Sequence, residues 1–247
     1  MARRIKLVVA YDGAPFAGWQ SQLHKNTVQD QLEDAVKRIT GEQVRVHGAG
    51  RTDTGVHAIG QCAHLDLETH KFEPARLLVA LNAVLPPTIR ILRCEPAAQT
   101  FHARFSAKGK MYRYRIWNAS VLPPLEYGRA WHVANSLDVE TLRTALGKFK
   151  GRHDFAPFAA NRVKQSEDTV RTINAVGLTR RGPCLTMQFE GDGFLYKMVR
   201  LMVGTIVLCG QEKLTVADIV ERFGQGSRRG PRLVAPAAGL FLIRVRY

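Results

Sequence analysis

Cysteine is scarce and scattered in this 247-residue chain. Cys62, Cys94, Cys184 and Cys209 stand far apart and form no C-x-x-C. Neither a zinc site nor a redox pair is indicated, and the four read as buried thiols of a protein in a reducing cytosol. The eight histidines show no metal-ligand spacing. Long apolar runs are missing as well. The longest, Leu201 to Gly210, is far below membrane-spanning length, and the apolar run before Tyr11 is too short for a signal peptide. Acidic residues are few: 21 Asp and Glu face 36 Lys and Arg, a net charge of +15. Residues 1–107 carry 13 basic and 10 acidic side chains, whereas residues 108–247 carry 23 and 11. That imbalance fits a polyanionic partner attracted mainly by the second half. The plainer alternative is a basic protein with no such partner.

The common nucleotide-binding loops are absent too. Gly48 and Gly50 open a G-x-G, but no glycine follows at the third Rossmann position. Gly50 and Gly55 are spaced like a P-loop, yet Val56 and His57 stand where Lys and Ser/Thr are required. Asp53-Thr-Gly55 occurs once, and aspartic-protease chemistry takes two carboxylates sharing a proton, so a protease would have to be a dimer.

What the chain does have is Gly48-Ala-Gly-Arg-Thr-Asp-Thr-Gly-Val-His57. The loop holds one carboxylate, Asp53, and one guanidinium, Arg51, between glycines. A short strand leads in, with Val44 and Val46 inward and Arg45 and His47 outward. An alternating run leads out, with Val56, Ala58, Gly60 and Cys62 set against His57, Ile59 and Gln61. A carboxylate on a tight loop between strands can face a cleft from a stiff scaffold. Asp in a loop is as readily a turn former.

Length and 45% apolar content allow one large domain or two of ordinary size. Ile5–Tyr11 reads as a strand ending at Asp12-Gly13. Thr27 is an N-cap for a helix carrying Val28, Leu32, Ala35, Val36 and Ile39, stopped by Gly41. After the loop strands come a helix from Glu73 to Val84, stopped by Pro86-Pro87, and a strand from Ile89 to Cys94. The order strand, helix, two strands, helix, strand is that of a ferredoxin-like α+β unit. A second pass begins at Lys110. It has strands at Met111–Trp117, Thr169–Leu178, Cys184–Glu190 and Leu240–Tyr247, and helices at Leu137–Phe149, Tyr196–Cys209 and Val216–Phe223. The expected architecture is therefore α+β: two ferredoxin-like domains, residues 1–106 and 107–247, with antiparallel sheets flanked by helices and an active-site cleft between them. Arg152–Gln165 and Gln225–Pro236 read as irregular, mobile loops. The second carries Arg228, Arg229 and Arg232, a candidate phosphate-contacting arm.

The chain resembles the tRNA pseudouridine synthase A family from end to end. The resemblance is carried by Tyr11-Asp-Gly13, Gly18-Trp-Gln20, Thr27-Val-Gln29, Gly50-Arg-Thr-Asp-Thr-Gly-Val-His-Ala58 and Leu81-Asn82. It continues in Phe101-His-Ala-Arg-Phe-Ser106, Lys110-Met-Tyr-Arg-Tyr114, Phe194-Leu-Tyr196, Met198-Val-Arg200 and Gly239-Leu240. The G-R-T-D-x-G-V-H-A core is highly specific. Two positions depart: Lys197 stands where His is frequent, and Leu201 where Asn is frequent. The resemblance implies isomerisation of uridine to pseudouridine at positions 38, 39 and 40 of the tRNA anticodon stem-loop, with no cofactor or metal. It also implies a cytoplasmic homodimer whose subunits share one tRNA. By match, Asp53 is the catalytic aspartate, Arg51 its neighbouring arginine and Tyr112 the active-site tyrosine. Lys197, Arg200, Arg228, Arg229 and Arg232 are candidates for RNA contact.

Plainer roles stand beside these. Tyr112 lies on an alternating strand and fits a core position. Lys197 and Arg200, at i,i+3, fit a solvated helix face, and Phe194-Leu-Tyr196 and Met198 fit wall and core. His57 fits a structural hydrogen bond and Asp12 a turn cap. The rival from another class is a non-catalytic RNA-binding protein. A carboxylate in an RNA-binding cleft repels phosphate, so Asp53 beside Arg51 favours the enzyme.

Overall fold

The structure, a computed structural model, describes residues 2–23, 26–68, 72–160, 168–225 and 232–247. In chain order the elements are β1 (Arg3–Tyr11), α1 (Val28–Thr40), β2 (His47–Gly48), β3 (His57–Leu67), α2 (Pro74–Val84), β4 (Ile89–Pro96), β5 (Gly109–Trp117), β6 (Trp131–His132), α3 (Val139–Gly147), β7 (Gly151–Asp154), β8 (Val170–Arg181), β9 (Cys184–Gly191), α4 (Met198–Gly210), α5 (Val216–Gln225) and β10 (Leu240–Arg246). The fold is mixed α/β with mostly antiparallel strand pairs. It divides into two compact units, residues 1–108 with 241–247, and residues 109–240.

In the first unit β1 is central, antiparallel to both β3 and β4, and β2 lies antiparallel outside β3. Ile5, Leu7, Val9 and Tyr11 alternate inward along β1, the period a half-buried strand requires. Thr27 caps α1 by accepting the Asp30 N–H, and Gly41 at φ 80° closes it through a backbone bond to Lys37. Its apolar side, Val28, Leu32, Ala35 and Val36, is buried. The last strand is the main departure from expectation. Residues 107–247 read as one domain, but Phe241 and Leu242 pair in parallel with His57 and Ala58 of β3, and so the terminal strand groups with the first unit.

In the second unit β9 lies between β5 and β8, and β7 pairs outside β8. Gly182, at φ 56°, turns the β8–β9 hairpin where an L side chain would be strained. Every residue of α4 except Arg200 is buried, which explains its predominantly apolar sequence. Arg152–Asp154, expected in an irregular loop, forms β7 because it finds an antiparallel partner at Val170–Thr172.

All four cysteines are free thiols, Cys62 and Cys209 buried and Cys94 and Cys184 half-buried. Burial pushes the Cys94 and Cys209 thiols up to about 11, so neither is a thiolate nucleophile near neutrality. Among the described residues, no helix is long and apolar enough to cross a membrane, and no group of His, Cys, Asp or Glu is disposed to hold a metal ion.

Candidate active site

The loop from Gly50 to Val56 is gripped by residues distant in sequence. Thr52 is its buried anchor. The Tyr11 hydroxyl and Thr52 Oγ1 are 2.8 Å apart, and the Trp19 N–H donates to the Thr52 carbonyl at 3.1 Å. Burial pushes the Tyr11 phenol well up, with hydrogen bonds from Thr52 and Gln61 opposing, so this contact stays between neutral hydroxyls. Gln61 Nε2 donates to the Gly50 carbonyl at 2.8 Å. Val56 N–H closes a turn onto the Asp53 carbonyl at 3.1 Å, with Gly55 at φ 77°. His57, buried, accepts the Gly13 N–H on Nδ1 at 3.1 Å and stacks on Phe241 at 4.7 Å. Asp12 accepts the Ala14 N–H and caps its own turn. Both residues thus have the structural roles their sequence context implied. The alternation expected after the loop breaks at His57 and Gln61, which are buried because each has a polar partner inside.

Several segments fit the loop through glycine. A Cβ at Gly13 would lie 2.0 Å from the Val56 carbonyl oxygen, and one at Gly18 would lie 2.7 Å from that of Thr52. Gly48 rests against the Trp19 indole. Gly13→Ala is therefore expected to lower stability by roughly 1–3 kcal/mol in urea melts, the usual cost of overpacking. Gly177→Ala, on β8 with nothing within 4 Å of the new methyl, should stay within about 0.5 kcal/mol of the parent. Equal losses in the two variants would show that the close approach at Gly13 relaxes freely.

Along this held backbone Arg51 is exposed, Thr52 buried and Asp53 half-buried. Arg51 Nε donates to Gln20 Oε1 at 3.1 Å. The strand expected to lead into the loop shrinks to His47–Gly48, because the Val46 N–H donates to the Glu33 carboxylate at 2.9 Å and not to a neighbouring strand.

The other candidates lie in the second unit. Tyr112 is buried on β5 opposite Phe189, its ring edge-on to Phe194 at 5.0 Å. Lys197 takes a left-handed conformation, φ 57°, at the start of α4, and its ammonium lies 5.1 Å over the Tyr196 ring. Arg200 Nε donates to the Ala235 carbonyl at 2.7 Å, and Arg232 Nη2 to that of Ala159 at 3.0 Å. With the bond from Ala160 N–H to the Tyr196 carbonyl, these arginines lace three segments together. Met198 is buried core, and Leu201 is buried in α4, where an aliphatic side chain suits its surroundings. Arg228 and Arg229 fall outside the described residues. Gln20, Gln29 and Glu33 escaped notice as site residues, although Gln29 and Glu33 share a helix face at i,i+4.

A loop so constrained presents a carboxylate and a guanidinium in a strongly basic chain. The tRNA pseudouridine synthase family matches residues 7–106 and 145–247. The tRNA pseudouridine synthase A of Acetivibrio thermocellus is 40% identical over 245 residues, covering 99% of this chain and 100% of the relative. Those of Afipia carboxidovorans and Akkermansia muciniphila are each 42% identical, covering 99% of this chain and 99% and 95% of their own length. The chain belongs to the tRNA pseudouridine synthase family. Asp53 and Arg51 fall inside the first matched stretch; Tyr112 lies between the two.

Proposed function

We propose that this chain isomerises uridine to pseudouridine at positions 38, 39 and 40 of the tRNA anticodon stem-loop, with Asp53 as the catalytic carboxylate. Family membership carries the reaction class: the chain is an isomerase acting on tRNA uridine. The observation behind the assignment of Asp53 is the loop itself, a carboxylate and a guanidinium on backbone held through Thr52, Gly50 and Val56. The same reading has two ferredoxin-like domains, a cytoplasmic homodimer and no cofactor. The strand order β4-β1-β3-β2 with α1 and α2 supports the ferredoxin-like description of the first unit.

In this reaction the N1–C1′ bond breaks, the uracil turns, and C5 bonds to C1′. The C5 proton leaves and N1 gains one. One carboxylate suits the task by any of three routes: attack on C1′, addition to uracil C6, or removal of the 2′ proton. The base must first leave the stack. The planar head of Arg51 suits the vacated space or a phosphate. Tyr112 stacks on the uracil and assists loss of the C5 proton. Lys197, Arg200, Arg228, Arg229 and Arg232 serve the phosphate backbone.

Transcripts labelled with tritium at uridine C5 test the reading, since each turnover releases the label to water. The purified chain should release it without added metal. Binding without release would leave a non-catalytic RNA-binding protein. Tyr112→Phe keeps the ring and removes the hydroxyl. It should bind tRNA normally, slow product formation steeply and enlarge the isotope effect of a C5 deuterium. Normal turnover in Tyr112→Phe, with loss confined to Tyr112→Ala, would leave the ring as a stacking surface alone.

A further inference from the structure

We infer that Gln20, Gln29 and Glu33 form a one-way hydrogen-bond relay that positions Arg51 for the isomerisation, an inference that rests on the functional reading above. Arg51 Nε donates to Gln20 Oε1 at 3.1 Å, Gln20 Nε2 to Gln29 Oε1 at 2.8 Å, and Gln29 Nε2 to Glu33 Oε1 at 2.7 Å. A primary amide can turn over with little change of shape, so a lone glutamine does not specify which end faces a partner. Glu33 removes that freedom. A carboxylate accepts and does not donate. Its Oε1 also takes the Val46 N–H at 2.9 Å, and its other oxygen faces Arg45 at 3.7 Å. Gln29 must therefore turn its NH2 toward Glu33. Its carbonyl then serves the Gln20 NH2 and the Ser21 N–H, the latter at 3.0 Å. Gln20 must in turn present its carbonyl at Arg51, the end that receives a guanidinium N–H.

The polarity is fixed in a protected place. Gln29 is 1% exposed, and its backbone N–H donates to the Trp19 carbonyl at 3.1 Å. The relay also ties both flanks of the loop to one helix. Glu33 holds Val46 on the entering side, and Gln29, through Gln20, holds Arg51 itself. Satisfying buried polar groups explains Gln29 and Glu33. It does not require the chain of bonds to end on Arg51 in an acceptor. Gln20, Gln29 and Glu33 are thus positioning residues, acting through Arg51 and not on the RNA.

The test is a mutant cycle read in single-turnover pseudouridine formation. Gln20→Leu should lower the rate about tenfold, the scale of one hydrogen bond, with tRNA affinity unchanged. In an Arg51→Ala background it should lower it no further, because the group it acts through is gone. Gln29→Glu sets two carboxylates against each other and should lose at least as much. Adding Glu33→Gln restores a donor between the two positions while the new carboxylate goes on accepting from Gln20, and should bring the rate back to within about threefold of the parent. An active parent in which Gln20→Leu costs nothing, or costs the same factor with and without Arg51, overturns the relay alone. So does a folded exchanged pair that stays as slow as Gln29→Glu. A folded parent that makes no pseudouridine overturns the functional reading and the relay with it.

Discussion

Asp53→Asn is expected to abolish isomerisation while leaving fold and tRNA binding intact. The amide keeps the shape of the side chain, and the loop backbone has several holds of its own. The backbone is held by Thr52 on Tyr11 and Trp19, by Gln61 on Gly50, and by the turn from the Asp53 carbonyl to the Val56 N–H. What disappears is the anionic oxygen, which every route to breaking the N1–C1′ bond requires. The loss should be on the order of 10⁴-fold or more in single-turnover rate, the scale of removing a nucleophile. Affinity should hold, because phosphate contacts supply most of it. Thermal unfolding and a filter-binding titration separate these outcomes. Appreciable turnover by a folded Asp53→Asn variant would remove Asp53 from the chemistry.

Arg51→Lys should behave as a severe change despite the conserved charge. Lysine has no Nε–H at the branch that meets Gln20, so the 3.1 Å bond is lost together with the planar fork. An ammonium also cannot fill the space a base vacates. The expected result is a fall in rate of roughly a hundredfold, the scale of one strong transition-state interaction, with little change in tRNA affinity. A near-normal rate would show that a point charge suffices at this position. Arg51 is exposed, so loss of fold is not the expected explanation, and a melting temperature close to that of the parent would establish this.

Local elements were readable from the sequence where local chemistry decides them. Thr27 and Gly41 mark both ends of α1 because a side-chain oxygen and a left-handed glycine are what those ends need. The hairpin at Gly182 and the apolar α4 were readable for the same reason. Features set by distant partners were not. Residues 44–46 alternate like a strand, yet a side chain on α1 takes the Val46 N–H. β7 exists because β8 lies beside it, and β10 joins the first unit through a pairing nearly two hundred residues long in sequence. The site divides in the same way. Asp53 and Arg51 stand out on one short loop. The contacts that hold them come from Tyr11, Gly13, Gly18, Trp19 and Gln20, segments whose motifs have no evident purpose until the fold gathers them around Thr52.

The central claim is that one carboxylate, Asp53, turns specific anticodon-arm uridines into pseudouridine. It is tested most directly by position-resolved mapping of pseudouridine in an unmodified tRNA transcript with uridine at 38, 39 and 40, incubated with the purified chain or its Asp53→Asn variant. The predicted result is new pseudouridine at those positions with the parent and none with the variant. No conversion by a folded parent, conversion confined to other positions, or equal conversion by the variant would contradict it.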